Sequence, residues 1–215
     1  MRKIQVIKLK ERDFFGRELA HNVVLVIDGD GVTMIDTSLP ENFDSLAHQL
    51  KELNLSLEDV SRVVLSHSHP DHVGNAEAIR RISGARVYAH REENFTQSNF
   101  NLSYEEVNSE IPVSREEFDR TLERINQIKM DLPRIDVKLE GGEDISGFRV
   151  LHTPGHTPGH IALFDGENLV AGDAIRNENG LMPPLRFFNW NNEMALKSFN
   201  FLTSLPYKRV IPYHG

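Results

Sequence analysis

No cysteine occurs among the 215 residues. Its absence excludes disulfides, thiolate metal ligands and a cysteine nucleophile. Long apolar runs are missing as well. The longest aliphatic stretch is Val23 to Ile27, far short of the roughly 20 residues a membrane span needs. Behind Met1-Arg2-Lys3-Ile4, the charges of Lys8, Lys10, Glu11 and Arg12 leave no apolar segment for a secretory signal. The expectation is a cytoplasmic protein with no membrane partner. Positive charge is not in excess: 24 Lys and Arg stand against 32 Asp and Glu, a net charge of −8. That argues against a general nucleic-acid binder, and no nucleic-acid partner is expected. Repeats, low-complexity tracts and linkers are lacking too. At 39% hydrophobic and 26% charged, the composition is that of a folded chain and not a disordered one. The length suits a single domain, residues 1–215, able to bury roughly 70% of its unfolded surface.

What is present reads as strands leading both halves of the chain. Ile4, Val6, Ile7 and Leu9 suggest one strand and Asn22 to Ile27 a second. Asp28-Gly29-Asp30-Gly31 then turns into a third, Val32 to Ile35. Ser38-Leu39-Pro40-Glu41 has the pattern of a capping box with Pro40 just inside the helix. Phe43, Leu46, Ala47, Leu50 and Leu53 follow at helical spacing. A buried strand at Arg62 to Leu65 runs into a polar loop, Ser66 to His72, and a helix from Asn75 to Ile82 ends at Gly84. Ala85 to Ala89 is another strand. Residues 91–135 are polar and charged, and read as a mainly helical insertion. Within it, Ser114-Arg115-Glu116-Glu117 is a second capping box. Phe118, Leu122, Ile125 and Met130 give a long amphipathic helix. Strands return at 136–139, 147–152, 160–164 and 168–172, then a helix at 191–204 and a short strand at Arg209 to Ile211. The pattern predicts two sheets packed together with helices outside.

Ten histidines are many for this length, and three fall in the hexapeptide His67-Ser68-His69-Pro70-Asp71-His72. It follows directly on the apolar Val63-Val64-Leu65, so a rigid strand end can aim the loop into a cleft. In an extended segment His67 and His69 point the same way. Beyond Pro70 the chain can turn and send Asp71 and His72 elsewhere. Imidazole nitrogens and carboxylate oxygens are the donors a borderline ion such as zinc takes. One hexapeptide can therefore supply two half-sites.

This His-x-His-x-Asp-His pattern resembles the signature of the metallo-β-lactamase superfamily, and further motifs occur in order along the chain. They are Asp36-Thr37 after an early strand, Thr153-Pro154-Gly155-His156-Thr157-Pro158-Gly159-His160, Gly172-Asp173 closing a later strand, and His214-Gly215. The resemblance implies a four-layer αβ/βα sandwich of two mixed β-sheets with outer helices, the metal site lying at one edge. It implies that His67, His69 and His156 bind a first metal ion, that Asp71, His72 and His214 bind a second, and that Asp173 bridges both. Two divalent ions per chain are expected. Zinc comes first, with iron or manganese also suited to His and Asp donors. His160 is expected beside the ligands, as a support or a substrate contact rather than a ligand, Asp36 as a support, and Tyr213 to narrow the site, since the family more often has Gly-His-Gly at that point. Arg176 either binds an anionic substrate group or pairs with the acidic surface. His90 and His152 read as structural. His21 and His48 read as an ordinary strand-end and an ordinary helix-surface histidine.

A hydroxide shared by two ions suits attack on a carbonyl or phosphoryl centre, with Asp71 orienting it and carrying a proton to the leaving group. Within the superfamily the intact second ligand set and Asp173 speak against a β-lactamase and a mononuclear sulfur dioxygenase. His69 and the length speak against a diiron flavoprotein reductase. The short, acidic-leaning insertion speaks against a nuclease. Glyoxalase II and the acyl-homoserine-lactone lactonases are closer in site pattern. The former carries a helical domain after its last ligand, however, and the latter a tyrosine where Arg176 stands. The expected function is hydrolysis of a thioester, lactone or ester of a small molecule. The alternatives are a phosphodiesterase or nuclease and, in another class, a non-catalytic metal- or partner-binding module. The segment Leu181 to Trp190 is either core packing or a wall of the substrate pocket. Residues 91–135 either close over that pocket or form a contact in a homodimer.

Overall fold

Every residue from His21 to Val26 is buried, which a strand achieves only when both faces of its sheet are covered. Alternation then sends neighbours to opposite sides. Val23 and Leu25 pack with Met34, Val63, Leu46, Leu50 and Ile79. Val24 and Val26 pack with Phe148, Val150, Ile161 and Leu163. One face thus meets helices and the other a second sheet. The structure, a computed structural model, describes residues 2–96 and 99–215.

The first sheet holds six strands in chain order. They are β1 (Lys3–Phe14), β2 (Arg17–Asp28), β3 (Gly31–Ile35), β4 (Val60–Val64), β5 (Arg86–His90) and β6 (Val137–Leu139). β1 to β3 are an antiparallel meander, and β3 to β6 run parallel. Helices α1 (Phe43–Glu52), α2 (Pro70–Val73) and α3 (Ala76–Ser83) form the crossovers, as parallel pairing requires. Helices α4 (Tyr104–Glu110) and α5 (Arg115–Asn126) lie between β5 and β6. The second half contains β7 (Asp144–Ile145), β8 (Phe148–His152), β9 (Ile161–Phe164) and β10 (Asn168–Gly172). After them come a two-stranded ribbon of β11 (Arg176–Asn177) and β12 (Leu181–Met182), helix α6 (Asn192–Thr203) and β13 (Arg209–Pro212). The second sheet has the order β13-β10-β9-β8-β7, and its outer face packs on Leu202 and Phe199 of α6. This is the expected αβ/βα sandwich of two mixed sheets. No helix among the described residues is long and apolar enough to cross a membrane.

Three local expectations are corrected. Ser38 does not cap a helix. Leu39 stands at the cap position of a 3-10 turn, Pro40–Asn42, while Ser38 takes a positive φ of 63° and turns its hydroxyl inward to His21. The loop at 66–72 is helical from Pro70, because proline's fixed φ suits a first helical position. The capping box at Ser114 and Glu117 forms as expected, but its helix stops at Asn126, short of Met130. Among the described residues of the 91–135 segment, the two helices cover the middle and the flanks are irregular.

Glu77 ties the layers beside α3 together. Its carboxylate accepts from Arg80 Nε and Nη2, both at 2.8 Å, from Arg81 Nε at 3.1 Å and from the Arg134 amide at 3.2 Å. The Arg80 hydrogen bonds, opposed by burial, lower its pKa from 4.5 to about 2. Because the folded value is depressed, its contribution is present above pH 4.5 and is lost as pH falls towards 2. Glu77→Gln is expected to cost roughly 2 kcal/mol at neutral pH and almost nothing near pH 2, as read by urea melts across that range.

Candidate metal centre

The chemistry gathers where strand ends meet. β3 and β4 are parallel, so the loops leaving them, with Asp36 on one and His67 on the other, emerge side by side. β10 and β13 are parallel in the second sheet, which brings Asp173 and His214 together in the same way. His156 arrives from the loop between β8 and β9. Two glycines permit this crowding. A Cβ at Gly155 would lie 2.0 Å from the Ala195 amide nitrogen, and one at Gly172 2.7 Å from Nε2 of His160.

Among the described residues, three groups of donor atoms each lie within 4.8 Å of one another: His67, His69 and His156; His67, His72 and Asp173; and His21, Asp71 and His214. All seven residues expected as ligands are therefore in one cluster. Asp173 sits between its two halves, 3.5 Å from His156 Nε2, 3.2 Å from His72 Nε2 and 3.4 Å from His214 Nε2. Asp71 Oδ2 is 3.2 Å from His214 Nε2 and 3.5 Å from His72 Nε2.

Oxygen atoms around the cluster fix the rings. Nδ1 of His72 donates to Asp36 Oδ2 at 2.8 Å, Nδ1 of His156 to Asn189 Oδ1 at 3.0 Å, and Nδ1 of His214 to the Ala20 carbonyl at 2.9 Å. Each hydrogen bond turns Nε2 inward, which is how an outer partner prepares a metal-binding imidazole. Asp36 also accepts from the Ser66 amide and hydroxyl, which ties the loop after β4 to the one after β3. His160 has both nitrogens engaged, Nδ1 with Thr153 Oγ1 and Nε2 accepting from the Asp173 amide. It braces the loops and has no lone pair left for an ion.

The cluster's electrostatics call for cations. Burial, reinforced by neighbouring histidines, keeps His67 well below the ordinary imidazole range. Burial and then His156 lower His69 to about 3. Both rings are thus neutral, with lone pairs available. Burial acts in the same sense on His72, yet Asp71, Asp173 and Asp36 outweigh it and raise His72 to about 10. Burial would raise Asp71 and Asp173, but His72 and His214 hold both below the usual carboxylate range. Nε2 of His67, Nε2 of His72 and Oδ1 of Asp173 are buried without a hydrogen-bond partner among the described residues. Nε2 of His156 and Nδ1 of His69 face each other at 3.0 Å. Inward lone pairs, orphaned buried donors and flanking carboxylates fit divalent metal ions.

Above the cluster opens a cavity of about 550 Å³. His69, Asp71, His156, Asp173 and His214 form its floor, and Phe14, Leu19, Phe100, Ile125, Leu185 and Phe188 line its walls. The insertion therefore supplies one wall, and the 181–190 segment both lines the cavity and packs with Phe14 and Phe15. Arg176 lies at the rim, its Nη1 2.9 Å from Glu178 and its Nε on the Pro183 carbonyl. Tyr213 is buried behind the site, donating its hydroxyl to the Asp71 carbonyl at 2.5 Å and lying against the His72 ring at 3.8 Å. It supports the floor from behind and is not part of the cavity wall. His90 and His152 stack on each other at 3.9 Å, and His48 is on the surface of α1, as expected.

Three contributors escaped the sequence reading. Asn189 orients His156 from 33 residues away with no motif around it. Glu93 accepts from Thr157 Oγ1 and from the Gly159 amide, clamping the ligand loop. His21, read as an ordinary strand histidine, is fully buried inside the cluster.

A family profile described as "Metallo-beta-lactamase superfamily" matches residues 16–214. An uncharacterized Bacillus subtilis protein, YobT, is 28% identical over all of this chain and 91% of its own length. An N-acyl homoserine lactonase from a Bacillus species is 27% identical over 77% of this chain, which spans only 58% of that enzyme. Among solved structures, TTHA1623, determined in a di-iron-bound form, superposes with a TM-score of 0.63 at 25% identity, over 91% of this chain and 87% of its own.

Proposed function

Because this chain belongs to the metallo-beta-lactamase superfamily, we propose that it is a two-metal hydrolase that cleaves a thioester, lactone or simple ester of a small molecule. The carrying observation is the cavity. Its apolar walls suit an uncharged acyl or aryl group, and its floor is the donor cluster. In this reading His67, His69 and His156 would hold one ion, Asp71, His72 and His214 the other, and Asp173 would serve both. Zinc is the ion of choice for these donors, and the di-iron relative makes iron the second candidate. When bound, the ions make water a nucleophile near neutral pH and polarise the carbonyl under attack. The chain's own part is to hold the acyl group against Phe14, Phe100 and Phe188 and to keep Asp71 beside the leaving group. There its carboxylate takes up the proton released by the nucleophile and returns it to the departing oxygen or sulfur.

The phosphodiesterase reading loses support from the geometry. Arg176 is occupied by Glu178 and Pro183, and Arg186 is largely exposed and pairs with Glu110. The cavity lining mixes Glu11, Glu18 and Glu178 with Arg17 and Arg176, so it offers no excess of positive charge to a phosphoryl group. The test is a hydrolysis panel of aryl esters, acyl lactones, acyl thioesters, a nitrophenyl phosphodiester and a β-lactam. Turnover is expected on the carboxylic substrates. Phe188→Ala is expected to raise KM for long acyl chains roughly 10-fold or more while leaving acetyl esters nearly unchanged, since each buried methylene is worth about 0.8 kcal/mol. Turnover of the phosphodiester alone, lost in Arg176→Ala, would replace this reading with the runner-up.

A further inference from the structure

His21 shares a pattern with the ligand histidines and not with the structural ones. It is fully buried at mid-strand in β2. Its Nδ1 lies 2.8 Å from Ser38 Oγ, the oxygen that also accepts from Asn42 Nδ2 at 2.9 Å. A hydroxyl oxygen has two lone pairs, so it can accept the His21 Nδ1–H beside the Asn42 amide and leave Nε2 unprotonated. This is the arrangement found at His72, His156 and His214, where an oxygen holds Nδ1 and Nε2 faces the cluster. By contrast, His160 and His90 have both nitrogens hydrogen-bonded. Nε2 of His21 is buried and has no hydrogen-bond partner among the described residues. It lies within ion-pair range of two carboxylates, 3.9 Å from Asp71 Oδ2 and 3.4 Å from Glu11 Oε2, and forms a hydrogen bond with neither. It also belongs to a donor triad with Asp71 and His214.

We propose that His21 is a metal ligand, adding a third imidazole to the second ion position beside His72 and His214. The strained φ of Ser38 then has a use, since it places the hydroxyl that sets the His21 tautomer. Glu11 backs the same position. Its carboxylate is buried, paired on the far side with Arg124 of α5, and lines the cavity. The added nitrogen donor favours a borderline ion such as zinc, iron(II) or cobalt(II) over magnesium or calcium.

The inference rests on the two-metal reading, and metal binding itself tests it. Zn2+ would be titrated into metal-free protein against a chromophoric chelator, for the unsubstituted chain, His21→Ala and His21→Gln. Two equivalents are expected for the unsubstituted chain. In both variants the first should be unchanged and the second weakened by more than about 100-fold, beyond the 10–100-fold that loss of an outer partner costs. Glutamine can still donate a hydrogen bond to Asp71 but is a poor ligand for zinc. Recovery of the second equivalent in His21→Gln would therefore show that His21 only hydrogen-bonds Asp71, and the proposal would fall. A measurement on the unsubstituted protein guards against misfolded variants. Loaded with Co2+, it should show one more paramagnetically shifted imidazole N–H than the other ligand histidines supply, and its absence overturns the proposal. A chain that binds no ion at all would sink the two-metal reading and this inference together, whereas a normal second equivalent in both variants would sink this inference alone.

Discussion

Stripping the protein with a chelator is expected to abolish ester turnover and to lower its melting temperature by roughly 8–16 °C. Two ions that bind only the folded chain, each at about 30 times its Kd, together stabilise it by about 4 kcal/mol. For a chain of this size each kcal/mol moves the melting temperature by about 2–4 °C. The stripped protein should remain folded. His72, whose three carboxylate neighbours raise it to about 10, and His214, held well above the ordinary range by Asp173 and Asp71, then carry protons that replace part of the lost positive charge. That replacement is complete below pH 6.5, the ordinary value for His72, and fails as pH rises towards 10. The stabilising effect of added Zn2+ should accordingly grow from pH 6.5 to 9. Calorimetry and an esterase assay before and after readdition of Zn2+ check both outcomes. An unchanged melting temperature and undiminished turnover after verified metal removal would end the metal reading.

Asp71→Asn should lower kcat by roughly 10²–10⁴-fold, the range for loss of a positioned acid–base group. The asparagine has nearly the same shape and can keep its place between His72 and His214, 3.5 and 3.2 Å away, but an amide cannot take up and return a proton. Metal content must be measured alongside, because Asp71 is also a proposed ligand. A fall in kcat at full occupancy identifies the proton role, and a fall restored by excess Zn2+ identifies only the ligand role. Full activity with full metal content would remove Asp71 from the chemistry. Should no substrate be turned over by either form while a partner still binds, the protein is a binding module on a hydrolase scaffold.

How much was legible in advance depends on the distance between cooperating residues. His67, His69, Asp71 and His72 lie within six positions at a strand end, so their spacing already suggests that one hexapeptide can supply two half-sites. His156, Asp173 and His214 are recognisable because each sits in a short motif with its own glycine. Glycines of those motifs face close neighbours across space, Gly155 against α6 and Gly172 against His160 among them, which shows why the motifs need them. The hairpin at Asp28 to Gly31 and the helix end at Gly84 were equally clear, being local turn chemistry. Ser38 misled for the same reason. Its local pattern fits a capping box, but a buried partner 17 residues away, His21, has the stronger claim on its hydroxyl.

The sequence by itself determined two sheets packed together with helices outside, because strand alternation and turn residues act within a few residues of the chain, while the four-layer order and the full donor set came from the resemblance of its motifs to the metallo-β-lactamase superfamily. Only the tertiary structure decided that His21 enters the cluster, that Asn189 orients His156, that Tyr213 stands behind Asp71 rather than in the cavity, and that residues 91–135 furnish a cavity wall. Each of these rests on contacts between residues far apart in the chain, or on which side of a packed layer a side chain falls. Such contacts are set by how whole elements pack, and no local pattern records them.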